Sequence, residues 1–260
     1  MSEPMPVRPP RHRGIYLLPN LFTTGAMFAG FYAIIASIDG RYSEAAVAVF
    51  FAAILDGMDG RVARMTGTQT EFGVQYDSLS DLVSFGLAPA LVMYTWSLSS
   101  LRDFGPLWGK LGWAAAFVYA ACAALRLARF NTQVGVADKR YFQGLASPAA
   151  AAVCMSFVWS VEKSGLSGSE LCFVTPVIAV VVGLLMVSRF RYFSFKSLPM
   201  GDRQRVPFVW MVGAVLLLAL LVLDTARVLF VGFTIYLLSG PVWTIWGLAT
   251  HRRRARRNVE

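Results

Sequence analysis

Apolar residues along this chain gather into runs of about 20 residues parted by short polar segments, the length an α-helix needs to cross a hydrocarbon core. Approximately eight runs are legible: Leu17–Ile38, Ala45–Arg64, Ser78–Ser97, Leu107–Phe130, Leu145–Val161, Leu171–Ser188, Val206–Leu223 and Val228–Leu248. They predict an all-α, polytopic helix bundle with about eight transmembrane helices. The first run has no A-x-A site, is longer than the apolar part of a signal peptide and precedes more runs of its kind, so it is read as a retained span.

Composition and charge placement sharpen this picture. Of 260 residues, 56% are hydrophobic and 15% charged, where soluble globular chains carry about 25% charged residues. So few polar side chains cannot cover a soluble surface, whereas a bilayer is itself an apolar solvent. The net charge of +9 lies in alternate loops. With the N-terminus in the cytoplasm, that side receives Arg8, Arg11 and Arg13, then Arg61 and Arg64, then Arg126, Arg129, Lys139 and Arg140. Arg189, Arg191, Lys196, Arg203 and Arg205 follow, and Arg252, Arg253, Arg254, Arg256 and Arg257 close the chain on the same side. Only Arg41, Arg102, Lys110, Lys163 and Arg227 fall opposite. This is the positive-inside pattern, which places both termini in the cytoplasm and accounts for the basic surplus with no nucleic-acid partner. The terminal HRRRARR serves equally as a topology determinant or as a contact for anionic membrane lipids.

Cys122, Cys154 and Cys172 each sit in an apolar run without CxxC spacing and read as small buried hydrophobes. His12 and His251 lie in the tails, so a nucleophile inside the membrane has no imidazole base and acid–base work falls to carboxylates. Ala116, Ala120 and Ala124, and the crowd Ala149–Ala152 after Pro148, predict close helix approach. The last two runs, rich in Leu, Val, Trp and Phe, read as lipid-facing or dimer-forming.

Candidate chemistry concentrates between Asp56 and Asp81. Asp56, Asp59, Asp77 and Asp81 stand at the cytoplasmic end of the second run and the start of the third, where a polar group is costly without a partner or a task. At 100° per residue, Asp59, Gly60 and Ala63 fall about 60°, 40° and 20° from Asp56, and Asp77 and Asp81 are about 40° apart. Two helices therefore each offer a carboxylate pair. Oxygen ligands without His or Cys favour Mg²⁺ or Mn²⁺ over zinc, and a carboxylate-held ion with open positions suits a diphosphate. Gly60 and Gly73, with Gly57, would let a substrate approach the backbone, and Arg64 could neutralise phosphate. The competing arrangement pairs the aspartates with Arg61 and Arg64 as an interfacial salt-bridge cluster.

The spacing Asp56-x-x-Asp59-Gly60-x-x-Ala63-Arg64, followed by Gly73-x-x-x-Asp77-x-x-x-Asp81, resembles the signature of the CDP-alcohol phosphotransferase family, with every fixed position filled. The resemblance implies a six-helix core, here 17–200, with a polar cavity facing the cytoplasm. A basic segment 1–16 precedes it, and two additional helices over 201–250 and a basic tail 251–260 follow. It implies a homodimer that transfers a phosphatidyl group from CDP-diacylglycerol to an alcohol and releases CMP, assisted by two ions of Mg²⁺ or Mn²⁺. It further implies that Asp56, Asp59 and Asp77 bind metal and that Asp81 both ligates metal and acts as general base. Gly60, Arg64, Thr70 and Gly73 would contact the nucleotide or diphosphate. Ser78, Ser80 and Ser84 have no adjacent His or Lys, which favours direct transfer over a covalent enzyme intermediate.

RLARFN at Arg126–Asn131, GLASPAAA from Gly144, SRFRYFSFK at Ser188–Lys196 and PNLFT at Pro19–Thr23 are similar to segments of the family's bacterial, membrane-embedded phosphatidylserine synthases. The likeness runs from about Leu17 to Phe195 and departs at Ala146, where many relatives carry Pro. It implies L-serine as acceptor and the bacterial inner membrane as location. Arg126 and Arg129 are suited to grip the serine carboxylate in a bidentate fork or else to anchor at the interface. Asn131 is a further acceptor-binding candidate, with Gln143, Ser147 and Lys196 behind it. Glycerol 3-phosphate or inositol would need different groups, and the basic loop Arg189–Arg205 keeps a second phosphate site open. A cation- or proton-coupled transporter is the alternative from another class, since intramembrane carboxylates also mark ion pathways.

Overall fold

A computed structural model describes residues 17–67, 70–133, 141–193 and 208–257. The segment 1–16, Lys139, Arg140, Lys196, Arg203 and Arg205, and the domain boundary near 200 lie outside these residues. The helices follow the apolar runs: α1 (Leu17–Ile38), α2 (Tyr42–Thr66), α3 (Glu71–Asp81), α4 (Ala88–Trp96), α5 (Pro106–Gln133), α6 (Ser147–Lys163), α7 (Val174–Val187) and α8 (Phe208–Arg257). α8 covers the last run and the described part of the run before it, and its helical backbone breaks at Asp224 (φ −150, ψ 81).

Among the described residues, Pro19–Ile38, Glu71–Phe104, Pro106–Thr132 and Met211–Thr244 are long and apolar enough to cross a membrane. The chain is a multi-pass membrane protein built as an all-α bundle. α7 is shorter, since 14 residues rise only about 21 Å. Against the sequence expectation, the third helix starts at Glu71 instead of near Ser78. Its first turns carry Glu71, Gln75, Tyr76 and Asp77, too polar to register as an apolar run, and Thr70 starts the helix by accepting the Gly73 N–H at 3.0 Å. A short antiparallel ladder of β1 (Tyr141–Gln143) and β2 (Arg191–Phe193) pairs Phe142 with Tyr192; three-residue strands leave no readable alternation.

α1 and α2 meet along a seam of small residues, Ala26, Ala29, Ala33 and Ala36 against Ala45, Val49 and Ala52, all buried, so the backbones approach closely. α6 runs through the middle, buried almost continuously from Ala150 to Val158. On α5 the buried stripe passes through Ala116, Tyr119 and Ala123, while Ala120 and Ala124 are only half-buried. The expected alanine ridge is thus rotated, because α7 comes in at Gly183, where a Cβ would lie 3.2 Å from the Tyr119 Cα. All three cysteines are buried and free, as their apolar settings predict.

Hydrogen bonds give the bundle its polarity. Tyr42 at the start of α2 donates to the Thr95 carbonyl at the end of α4 (3.1 Å), and the Trp96 indole donates to Glu162 at the end of α6. At this same end Arg41 pairs with Asp39 (3.0 Å) and Glu44 (2.8 Å). Asp224 takes Lys163 (3.0 Å) and Arg227 (3.3 Å) at the break in α8. Three of the basic residues assigned to the outside are therefore neutralised locally. Asp56 and Asp81 lie at the opposite end.

Between α3 and α4, residues 82–87 form a π-helical turn. Pro89 follows in the first turn of α4; it has no N–H for the carbonyl four residues back and its ring crowds that oxygen. The orphaned carbonyl is that of Phe85, and the buried Tyr119 hydroxyl donates to it at 3.1 Å. Tyr119→Phe should destabilise the protein by about 1–3 kcal/mol, the penalty for a buried acceptor left unmet. Thermal unfolding in detergent reads this, and an unchanged midpoint would show that the turn does not depend on that bond.

Candidate active site

α2 ends in a left-handed Gly67 (φ 62) whose N–H returns to the Ala63 carbonyl, and Thr70 starts α3. The two helices bring the aspartate pairs read from the sequence to face one another. One carboxylate oxygen from each of Asp56, Asp59 and Asp77 lies within 4.8 Å of the others. Asp81 completes the group by reaching Asp56, and Asp77 reaches Asp59. Asp59 is only 6% exposed, and Asp77 Oδ1 is buried with no hydrogen-bond partner.

These residues fit a divalent cation. Converging carboxylates repel one another and lose hydration, and a divalent cation bound among them offsets both costs. The Asp77 oxygen that lacks a hydrogen-bond partner is able to serve as a ligand atom, and the all-oxygen set suits a hard ion. The salt-bridge alternative finds no support: Arg61 and Arg64 are exposed, and among the described residues no ion pair joins either to the cluster. Among the described residues, Arg126 on α5 is a cation whose charge acts on Asp81.

The other candidates divide by what they touch. A Cβ built on Gly57 or Gly60 would meet nothing within 4 Å, so this side of α2 is open to an incoming group. Gly73 differs, since its Cβ would lie 3.2 Å from Thr70 Oγ1 and 3.7 Å from Asn20 Oδ1; here glycine makes room for the helix cap. The Thr70 hydroxyl is that cap. Arg126 donates to Ser147 Oγ at the start of α6 (2.7 Å). Arg129 reaches the Val187 carbonyl at the end of α7 (3.5 Å). Asn131 Nδ2 donates to Ser78 Oγ (3.0 Å), binding α5 to α3 beside Asp77. The Gln143 backbone lies in the ladder, and Lys196 is outside the described residues. Ser78, Ser80 and Ser84 donate to the carbonyls of Val74, Thr23 and Ala26, and Ser78 also faces Asn131 Oδ1 at 3.3 Å.

α1 contributes residues to which sequence reasoning assigned no role. Thr23, buried, donates to Asp59 Oδ2 at 2.8 Å, and Thr24 shares a hydrogen bond with the Tyr76 hydroxyl (2.9 Å). The available signal was a pair of hydroxyls one turn after Pro19–Asn20 in an otherwise apolar run.

Known proteins match much of this chain. Residues 16–187 match the family described as CDP-alcohol phosphatidyltransferase. A CDP-diacylglycerol–serine O-phosphatidyltransferase of Helicobacter pylori is 36% identical over 195 residues, 74% of this chain and 76% of that protein. An archaetidylserine synthase of Methanothermobacter thermautotrophicus is 35% identical over 177 residues, 67% of this chain and 69% of that protein. A CDP-diacylglycerol–serine O-phosphatidyltransferase of Mycobacterium tuberculosis is 40% identical over 152 residues, 55% of this chain and 50% of that protein. With its paired aspartates brought together by α2 and α3 and the match extending from α1 to the end of α7, the chain belongs to the CDP-alcohol phosphatidyltransferase family.

Proposed function

We propose that this chain transfers the phosphatidyl group of CDP-diacylglycerol to the hydroxyl of L-serine, giving phosphatidylserine and CMP, at the cytoplasmic face of a bacterial inner membrane. The observation that carries the reading is the convergence of Asp56, Asp59 and Asp77, with Asp81 alongside, at the end of the bundle opposite the paired outer charges. The serine-transferring names of the relatives support the acceptor, and the positive-inside pattern supports a cytoplasmic site with both termini on that side. The core over 17–200 carries the chemistry. The helices over 201–250 complete eight spans and supply a surface for lipid or for the second copy of a homodimer.

Mg²⁺ or Mn²⁺, as two ions held by Asp56, Asp59, Asp77 and Asp81, would neutralise the diphosphate and stabilise the leaving phosphate of CMP. Asp81 accepts the proton of the serine hydroxyl as its oxygen bonds to the phosphorus bearing diacylglycerol. The bond from that phosphorus to the CMP phosphate breaks, and its electron pair leaves with CMP. The open flank at Gly57 and Gly60 admits the diphosphate, with Arg64 at its exposed edge. Arg126, held by Ser147 beside Asp81, grips the serine carboxylate so that the hydroxyl meets its base. Arg129 and Asn131 brace this side, Thr70 and Gly73 the nucleotide side.

The test supplies purified protein with CDP-diacylglycerol, a divalent cation and one alcohol at a time, and follows CMP release. L-serine should be the acceptor used; release with glycerol 3-phosphate or inositol in its place would overturn the serine assignment and leave the family untouched. Arg126→Ala should raise the KM for L-serine by about 10- to 100-fold, the worth of a charged hydrogen-bonded pair. An unchanged KM would return Arg126 to an interfacial anchor.

A further inference from the structure

We infer that Thr23 is a positioning residue for the metal centre, its hydroxyl fixing the orientation of the Asp59 carboxylate. The inference rests on the metal reading above and extends it to a helix that carries no aspartate of the cluster. Thr23 is 4% exposed, and its Oγ1 lies 2.8 Å from Asp59 Oδ2 and 3.1 Å from the carbonyl of Pro19. One proton faces two acceptors. A threonine inside a helix ordinarily bonds back to the carbonyl four residues earlier, but a charge-assisted bond to a carboxylate is shorter and stronger. The shorter contact here is the one to Asp59. With Oδ2 so engaged, the carboxylate cannot turn freely about its last bond. Outer partners of this kind orient metal ligands and raise affinity by holding them ready.

The main chain of the same residue holds the facing helix. Ser80, 2% exposed, sits between Asp77 and Asp81 and donates to the Thr23 carbonyl at 3.0 Å. Thr23 therefore contacts both aspartate-bearing helices, α2 through its side chain and α3 through its backbone. The seam continues where Ser84 donates to the Ala26 carbonyl (3.0 Å) and where a Cβ on Gly30 would lie 2.7 Å from the Ser84 Cα. Contact that close between α1 and the π-helical turn after α3 prevents α1 from sliding along this segment, so the hydroxyl stays in register with Asp59.

The experiment titrates Mn²⁺ into detergent-purified protein without substrate and reads the free ion by electron paramagnetic resonance. Thr23→Val, which keeps the shape and removes the hydroxyl, should weaken Mn²⁺ binding by about tenfold or more, while Thr23→Ser should restore it to within about threefold of the parent. Unfolding in chelator establishes that each variant is folded; should Thr23→Val not purify, Thr23→Ala carries the same expectation. Parent-like Mn²⁺ affinity in the hydroxyl-free variant, or Thr23→Ser as impaired as Thr23→Val, overturns the role of Thr23 alone. A parent protein that binds no Mn²⁺ overturns the metal reading and this inference together.

Discussion

Asp81→Asn is expected to lower kcat by about 100- to 10,000-fold, the range that a positioned general base contributes, with CDP-diacylglycerol binding partly retained. The amide is nearly isosteric with the carboxylate, so α3 and the π-helical turn after it should be undisturbed. What disappears is the group that takes the serine proton beside Arg126. Steady-state CMP release, together with nucleotide binding by the same preparation, separates the two effects. Full turnover in the variant would remove the general-base role from Asp81. Loss of binding in proportion to turnover would assign it to metal ligation alone.

The second large effect has two signs. Asp77→Asn should abolish CMP release, because it takes away a ligand whose Oδ1 has no other partner. In chelator the same substitution should raise the unfolding temperature, since it removes one charge from a cluster whose members repel one another in a partly dehydrated setting. Mn²⁺ should then stabilise the parent, as any ligand specific to the folded state does, and stabilise the variant far less. Activity near the parent's would remove Asp77 from the centre. An inactive variant that is less stable than the parent in chelator would show that Asp77 holds the fold and does not strain it.

Long helices with strong patterns were legible because burial in lipid leaves a continuous apolar run, and the described helices fall on these runs. The two aspartate pairs were legible because helical periodicity alone places Asp56 with Asp59 and Asp77 with Asp81. Which surfaces these pairs face was not, since that depends on how α3 is set against α2. The true start of α3 escaped a hydropathy reading because Glu71, Gln75, Tyr76 and Asp77 make its first turns polar. The π-helical turn follows from Pro89 only once Tyr119, about thirty residues onward, is known to supply the missing donor. Thr23 escaped because one hydroxyl in an apolar run carries no periodic mark, and its meaning lies wholly in what a different helix brings to it. For the same reason the alanine spacing on α5 pointed to the wrong stripe: spacing names a face, and the neighbour at Gly183 decides which face is used.

The pairing of β1 with β2 also sets an order in time. The aspartates need only α1 to α3, so that half of the centre can assemble soon after those helices leave the ribosome. The partner of Arg126 must wait. Ser147 follows the turn at Gly144 (φ +82), whose N–H bonds the Phe190 carbonyl and whose α-carbon packs against the Met186 carbonyl. That turn is completed only when the chain has been made through β2. The acceptor side is therefore finished last, so a nascent chain can gather its carboxylates before it can hold the alcohol, and a truncation before Phe193 should leave the first half of the centre without the second.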